Sequence, residues 1–221
     1  MPRPVPTPVL HFSHIDHLRD IATHGLLSDT AAHSRHLLTQ EVGNREIKER
    51  RRTTVVPVPP GGVVADFVSF YFAPRSPMMY AIHKGNVPEY PGGLGPLIYL
   101  VTTIERLHEI GCTVITTDRN AVLGYATFHR GLHGLDRTVD WQLMRATMWN
   151  NTVEEPDRRE RRMAECLVHN VVPVGGLHRD PCQERRPTGT DRGASRAWSY
   201  SKTGSRHTRL VFLGCREEDI E

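Results

Sequence analysis

The run Arg161-Arg162-Met163-Ala164-Glu165-Cys166-Leu167-Val168 sets one carboxylate where a basic helical segment passes into an apolar, β-branched run. A strand-edge carboxylate of this kind can hold a hydroxyl, stabilise positive charge and accept a proton. An ordinary surface glutamate has the same local sequence. Upstream, Glu49-Arg50-Arg51-Arg52 offers planar, permanently charged guanidinium groups, or simply a solvated basic helix face. His11-Phe12-Ser13-His14 brings a ring nitrogen and a hydroxyl close enough to meet a ribose or a carboxamide together. His11, His14 and His17 recur at spacings of three, but the carboxylate or thiolate a zinc site needs has no defined spacing to them. No metal is therefore expected, and His14 and His17 read as an exposed helix face.

These groups must be carried by short elements. Val9 to Phe12 reads as a strand, followed by a helix that Ser13 and Asp16 cap and Gly25 ends. Asn44 to Thr54 is a short polar helix closed by Pro57-Val-Pro-Pro-Gly-Gly. Phe67 to Phe72 has strand composition, with Tyr71 on the side opposite Val68, Phe70 and Phe72. Leu97 to Val101 and Val114 to Thr117 are further strands, separated by a helix boxed by Thr102 and Glu105. Asp140 to Trp149 is helical, and Pro156 opens a helix leading into Glu165. Strands with intervening helices but no βαβ alternation indicate an α+β fold.

A chain of 221 residues without a Gly/Ser linker suits one domain. Cys112, Cys166, Cys182 and Cys215 form no C-x-x-C pair, which argues against a disulfide scaffold and a thiolate zinc site and favours a reducing cytoplasm. No stretch approaches the roughly 18 apolar residues of a membrane span. The net charge is +3, yet from Gln183 to Leu210 arginines and one lysine far outnumber Glu184 and Asp191, a pattern suited to a polyanion or to a solvated tail.

Taken together, the His11 segment, the Glu49 to Arg52 tract, Pro57-x-Pro-Pro-Gly-Gly, Phe70-Tyr71-Phe72-Ala73-Pro74-Arg75-Ser76-Pro77-Met78 and the approach to Glu165 resemble the DarT family of DNA ADP-ribosyltransferase toxins. The resemblance runs from about Val9 to Pro173. It implies an ADP-ribosyltransferase-like split β-sheet core with flanking helices over residues 9–175, between a flexible proline-rich start at 1–8 and a basic tail at 176–221. It also implies NAD as co-substrate and transfer of ADP-ribose to a base in single-stranded DNA, with thymine ahead of guanine. Arg51 and Glu165 would be catalytic; His11, Phe12, Ser13, Asp20, Ser28 and Tyr71 would bind NAD, Ser13 standing where the family has Thr. Arg75, Met78, Arg130 and Trp149 would touch DNA, the last two from a target-recognition loop at about Asn120 to Glu165. Tyr125, Phe128, Trp141 and Arg145 of that loop would suit unstacked bases, while its Trp and Leu residues could equally pack in the core. A DarG-type macrodomain antitoxin would be the partner. Two readings compete: an RNA-directed ADP-ribosyl or phosphate transferase of similar fold, and a non-catalytic basic nucleic-acid-binding module in which Arg51 and Glu165 are an ordinary ion pair.

Overall fold

A computed structural model describes residues 2–177 and the backbone of residues 212–214. Its frame is an antiparallel sheet of seven strands in the order β6-β5-β7-β3-β1-β4-β9. These are β1 (Pro8–His14), β3 (Phe67–Tyr71), β4 (Leu97–Thr103), β5 (Val114–Thr117), β6 (Phe128–Arg130), β7 (Glu165–His169) and β9 (Phe212–Gly214). A separate pair joins β2 (Leu26–Leu27) to β8 (Val171–Val172). Around them lie α1 (Leu18–His24), α2 (Asp29–Ser34), α3 (Arg45–Thr53), α4 (Pro77–His83), α5 (Ile104–Glu109), α6 (Leu135–Thr138), α7 (Trp141–Arg145) and α8 (Arg158–Arg161).

The pairing is uneven, and that unevenness makes the site. β1 pairs with β4 from Pro8↔Thr103 to His14↔Leu97, and β3 pairs with β7 from Phe67↔His169 to Tyr71↔Glu165. Between β1 and β3 the register is the single pair Leu10↔Tyr71. The sheet is thus split there, as the resemblance implies. Side-chain alternation places Val9, Val68, Phe70, Ile98, Leu100, Cys166 and Val168 on one face, where they form a core continuous across the split. The opposite face carries two cores: Leu10, Leu97 and Tyr99 pack with Met79 and Ile82 of α4, while Phe67, Ile115 and Leu167 pack with Val56 and Val64.

Several local expectations change. Ser13 lies inside β1, and the cap it was assigned is supplied by His14, whose ring accepts from the Asp16 amide at 3.3 Å at the start of a 3-10 turn, Ile15–His17. That turn shifts the helical phase, so Ile15 is 48% exposed while His17 is buried, correcting its assignment to a surface face. The cap of α5 is Thr103, not Thr102; Thr102 is buried and its hydroxyl donates to the Gly176 carbonyl at 2.5 Å. Between Asp140 and Trp149 only Trp141–Arg145 is helical, and Trp141 packs edge-on against Phe72 in the core. The proline-rich start is held rather than loose: Arg3 pairs with Glu105, the Thr7 amide donates to the same carboxylate at 2.7 Å, and Arg145 donates to the Pro2 carbonyl at 2.9 Å. The basic tail lies outside the described residues except for 176, 177 and β9, which adds an edge strand beside β4. Among the described residues no helix is long and apolar enough to cross a membrane.

Candidate active site

A cavity of about 220 Å³ opens where β1 and β3 part, and Phe12, Val42 and Met78 from one of the divided cores face Phe67 from the other across it. Glu165 stands on its wall at the first residue of β7, the strand start that the sequence indicates, and at 1% exposure it is not a surface glutamate. Its amide donates to Thr117 Oγ1 at 3.1 Å, anchoring the strand start to the end of β5. Its carboxylate meets Arg51 from α3. That helix begins at Asn44, whose Oδ1 accepts from the Ile47 amide at 3.0 Å, and its inward stripe is Ile47, Lys48 and Arg51. Arg50 is exposed, and Arg52 pairs outward with Asp29 and Glu49.

The contact between Arg51 and Glu165 is not a two-pronged fork. A single nitrogen, Nη1, spans both carboxylate oxygens at 3.0 and 3.1 Å, and Nη2 is buried without a hydrogen-bond partner among the described residues. Burial pushes the Glu165 carboxyl above its ordinary range, with Arg51 opposing. The site therefore holds a carboxylate more basic than usual and a guanidinium with one unmatched donor.

His11 bridges the split. Its Nδ1 lies 2.8 Å from the Ser69 carbonyl, and since a carbonyl only accepts, Nδ1 carries the proton. Burial, assisted by Arg51, brings its pKa down to about 4 against the Ser69 bond, so the ring is neutral and Nε2 is an acceptor. His11 binds fewer protons folded than unfolded between its ordinary 6.5 and about 4, so it contributes full stability above that window and loses it as pH falls through it. Measured by urea denaturation, the wild type should lose on the order of 2–3 kcal/mol relative to His11→Gln between about pH 7 and pH 4. A pH-independent difference would mean that the folded protein binds the proton.

Ser13 and His17 form a local pair on the β1 side, at 3.0 Å between Oγ and Nδ1. The Gln40 amide donates to His17 Nε2 at 3.2 Å, which makes Nδ1 the protonated nitrogen and leaves the Ser13 hydroxyl proton directed elsewhere. Phe12 and Tyr71 stack across the split with ring centroids 6.2 Å apart and planes 5° from parallel. Burial and the Glu165 charge push the Tyr71 phenol up, so it stays neutral.

Of the expected site residues, the structure brings His11, Phe12, Ser13, Asp20, Arg51, Tyr71, Met78 and Glu165 to one cavity. Ser28 does not line it: this buried hydroxyl caps α2, accepting from the Ala31 amide at 3.2 Å. Arg75 is outside the lining, its carbonyl accepting from Arg162 at 3.1 Å, and Arg130 is exposed on the edge strand β6. Trp149 meets Tyr80 of α4 edge-on at 6.0 Å, on the helix that carries Met78. Lys48 and His17 also line the cavity and were missed; Lys48 was legible, being three residues before Arg51 on one helix. Arg162 lies outside the lining, buried where the carbonyls of Arg75, Leu143 and Ala146 reach it from separate loops.

Residues 10–185 match the family model described as "ssDNA thymidine ADP-ribosyltransferase, DarT". A curated relative named "DNA ADP-ribosyl transferase", from Thermus sp. (strain 2.9), is 42% identical over 171 residues, 77% of this chain and 78% of the relative. One of the same name from Mycobacterium tuberculosis (strain ATCC 25618 / H37Rv) is 39% identical over 169 residues, 75% of this chain and 71% of the relative. The fold is similar to Thermus sp. 2.9 DarT in complex with ADP-ribosylated ssDNA, with TM-score 0.73, 37% identity and coverage of 80% of this chain and 82% of that one. It is also similar to the same DarT in complex with NAD+, with TM-score 0.68, 37% identity and coverage of 80% and 81%. A cleft built on a buried Arg–Glu pair at a split sheet, and this extent of likeness, place the chain in the DarT family.

Proposed function

We propose that this protein transfers ADP-ribose from NAD to thymine in single-stranded DNA. The observation that carries the reading is the Arg51–Glu165 pair itself: a buried carboxylate of raised basicity beside a guanidinium whose second nitrogen lacks a partner. A buried donor without a partner destabilises by about 1–3 kcal/mol, a cost that a bound co-substrate or base would offset. The lining also fits NAD: neutral His11 presents Nε2 as an acceptor, Ser13 has a hydroxyl proton to give, and Tyr71 offers a neutral ring.

NAD supplies an electrophilic ribose carbon: its bond to nicotinamide breaks, the electron pair leaves on the neutral ring, and the thymine imide nitrogen forms the new bond. Glu165 stabilises the charge developing on the ribose and takes the imide proton. Arg51 holds the co-substrate and polarises the base through the prong that Glu165 does not use. His11 and Ser13 position ribose or carboxamide, and Phe12 and Asp20 complete that wall. Met78 lies inside the cavity and Trp149 close to its helix, which suits an entering strand; Arg75 and Arg130 supply phosphate contacts farther out. The same reading makes the protein a cytoplasmic toxin paired with a DarG-type macrodomain antitoxin.

Single strands should be labelled and the matching duplex should not, because pairing occupies the imide nitrogen and extruding a base costs a few kcal/mol. The test is transfer from labelled NAD to thymine-containing DNA as single strand and duplex, with RNA of the same sequence alongside. Equal labelling of the duplex, or labelling confined to RNA, would overturn the reading.

A further inference from the structure

Asn120 lies in the turn after β5, is 6% exposed, and lines the cavity with Met163 and Glu165. Its Oδ1 accepts from the Val122 amide at 3.1 Å, so Nδ2 is the end turned away from that bond. The partner of Nδ2 among the described residues is Met163 Sδ at 3.9 Å. A thioether is a weak acceptor, so a buried amide donor is left almost unmatched on the wall of the site. Thr117 ties this turn to the carboxylate: its hydroxyl accepts from the Glu165 amide at 3.1 Å and donates to the Arg119 carbonyl at 2.6 Å.

Asn120 therefore approaches Glu165 from the β5 flank of β7. Arg51 comes from α3, which packs on the 3-10 turn leading into β3, the strand on the other flank. Three residues that line the cavity, Arg51, Glu165 and Asn120, thus carry between them a donor, an acceptor and a donor. A thymine imide edge presents the complement, a ring N–H between two carbonyls. Guanine has an amino group in place of one carbonyl and would set donor against donor. Cytosine and adenine have no ring proton at that position for Glu165 to take.

We infer that Asn120 is a specificity-determining residue that donates to one of the two carbonyls beside the imide nitrogen. This rests on the function proposed above. Asn120→Ala removes the donor without adding charge, whereas Asn120→Asp keeps the oxygen that caps Val122 but sets a second carboxylate beside Glu165. The probes are single strands whose one target base is thymine, deoxyuridine, 2-thiothymine or 4-thiothymine, sulfur being the poorer acceptor. The wild type should use thymine and deoxyuridine alike, because neither the array nor the imide edge involves the methyl group.

Both variants should lose about 10- to 100-fold in transfer to thymine. On whichever thio analogue has already lost the contact the alanine variant should lose much less, so that the wild-type preference for thymine over that analogue collapses, while the aspartate variant should be impaired on every strand. NAD affinity, read by calorimetry, should change little beside this loss. Equal losses by the alanine variant on thymine and both thio analogues would make Asn120 merely structural and overturn the inference, as would no loss at all. Failure of the wild type to label the thymine strand would instead overturn the proposed function.

Discussion

Glu165→Gln should fold and yet lose transfer to DNA by on the order of 10²–10⁴-fold, the range for removing a general base, with charge stabilisation lost as well. The amide fills the same space in β7, so no cavity opens, but it can neither accept the imide proton nor balance the charge on the ribose. Stability should fall too. Arg51 would face a neutral partner in a largely buried position, and breaking such a pair costs about 3–5 kcal/mol, lessened here because the Arg51 side chain is 14% exposed. Glu165→Ala should be no more active and less stable. Circular dichroism and urea titration separate the two effects, and transfer near the wild-type rate by either folded variant would remove Glu165 from the mechanism. Since the working form is the anion and burial raises its pKa, the wild-type rate should fall with acid at a midpoint above the ordinary carboxylate value.

Arg51→Lys should be nearly as damaging as Arg51→Ala, each costing on the order of 10²-fold in NAD-dependent labelling. An ammonium could still neutralise Glu165, because one nitrogen already does so in the guanidinium. It lacks the second, fixed donor that Nη2 provides. Lysine should therefore retain much of the stability that alanine loses while recovering little of the activity. Arg50→Ala and Arg52→Ala should each stay within a few-fold of the wild type, since those side chains point outward. Equal losses at all three positions would describe a diffuse basic patch and remove the distinction drawn for Arg51.

Much of this site could be anticipated because its residues sit on elements with strong local signals. The aromatic run into Tyr71, the Asn44-capped helix carrying Arg51 and the apolar run after Glu165 each announce themselves within about ten residues. The α+β class follows from the same signals. What the sequence concealed depends on partners far away in the chain. Glu165 begins its strand as the local sequence indicates, but it is buried because β5 and β3 flank β7 and α3 brings Arg51 over it, which a pattern shared with a surface glutamate does not reveal. Ser28 has a cavity residue, Asp29, directly after it, yet its own hydroxyl is committed to a helix cap. His17 is buried and its neighbour Ile15 exposed because a 3-10 turn altered the helical phase, which residue type alone does not reveal. Trp141 has the composition of a stacking residue and packs against Phe72, since a buried indole contributes more to the core than to an exposed loop.

If the buried Arg51–Glu165 pair moves ADP-ribose from NAD onto thymine, the reaction leaves a defined nucleoside adduct and free nicotinamide. Its most direct measurement is mass spectrometry of a single-stranded oligonucleotide containing one thymine, incubated with NAD and the wild-type protein and then digested to nucleosides. Formation of ADP-ribosylated thymidine, with one nicotinamide released per adduct and neither product formed by Glu165→Gln, is the predicted result. Release of nicotinamide with the thymidine left unmodified, or the same adduct formed at the same rate by Glu165→Gln, would contradict the account.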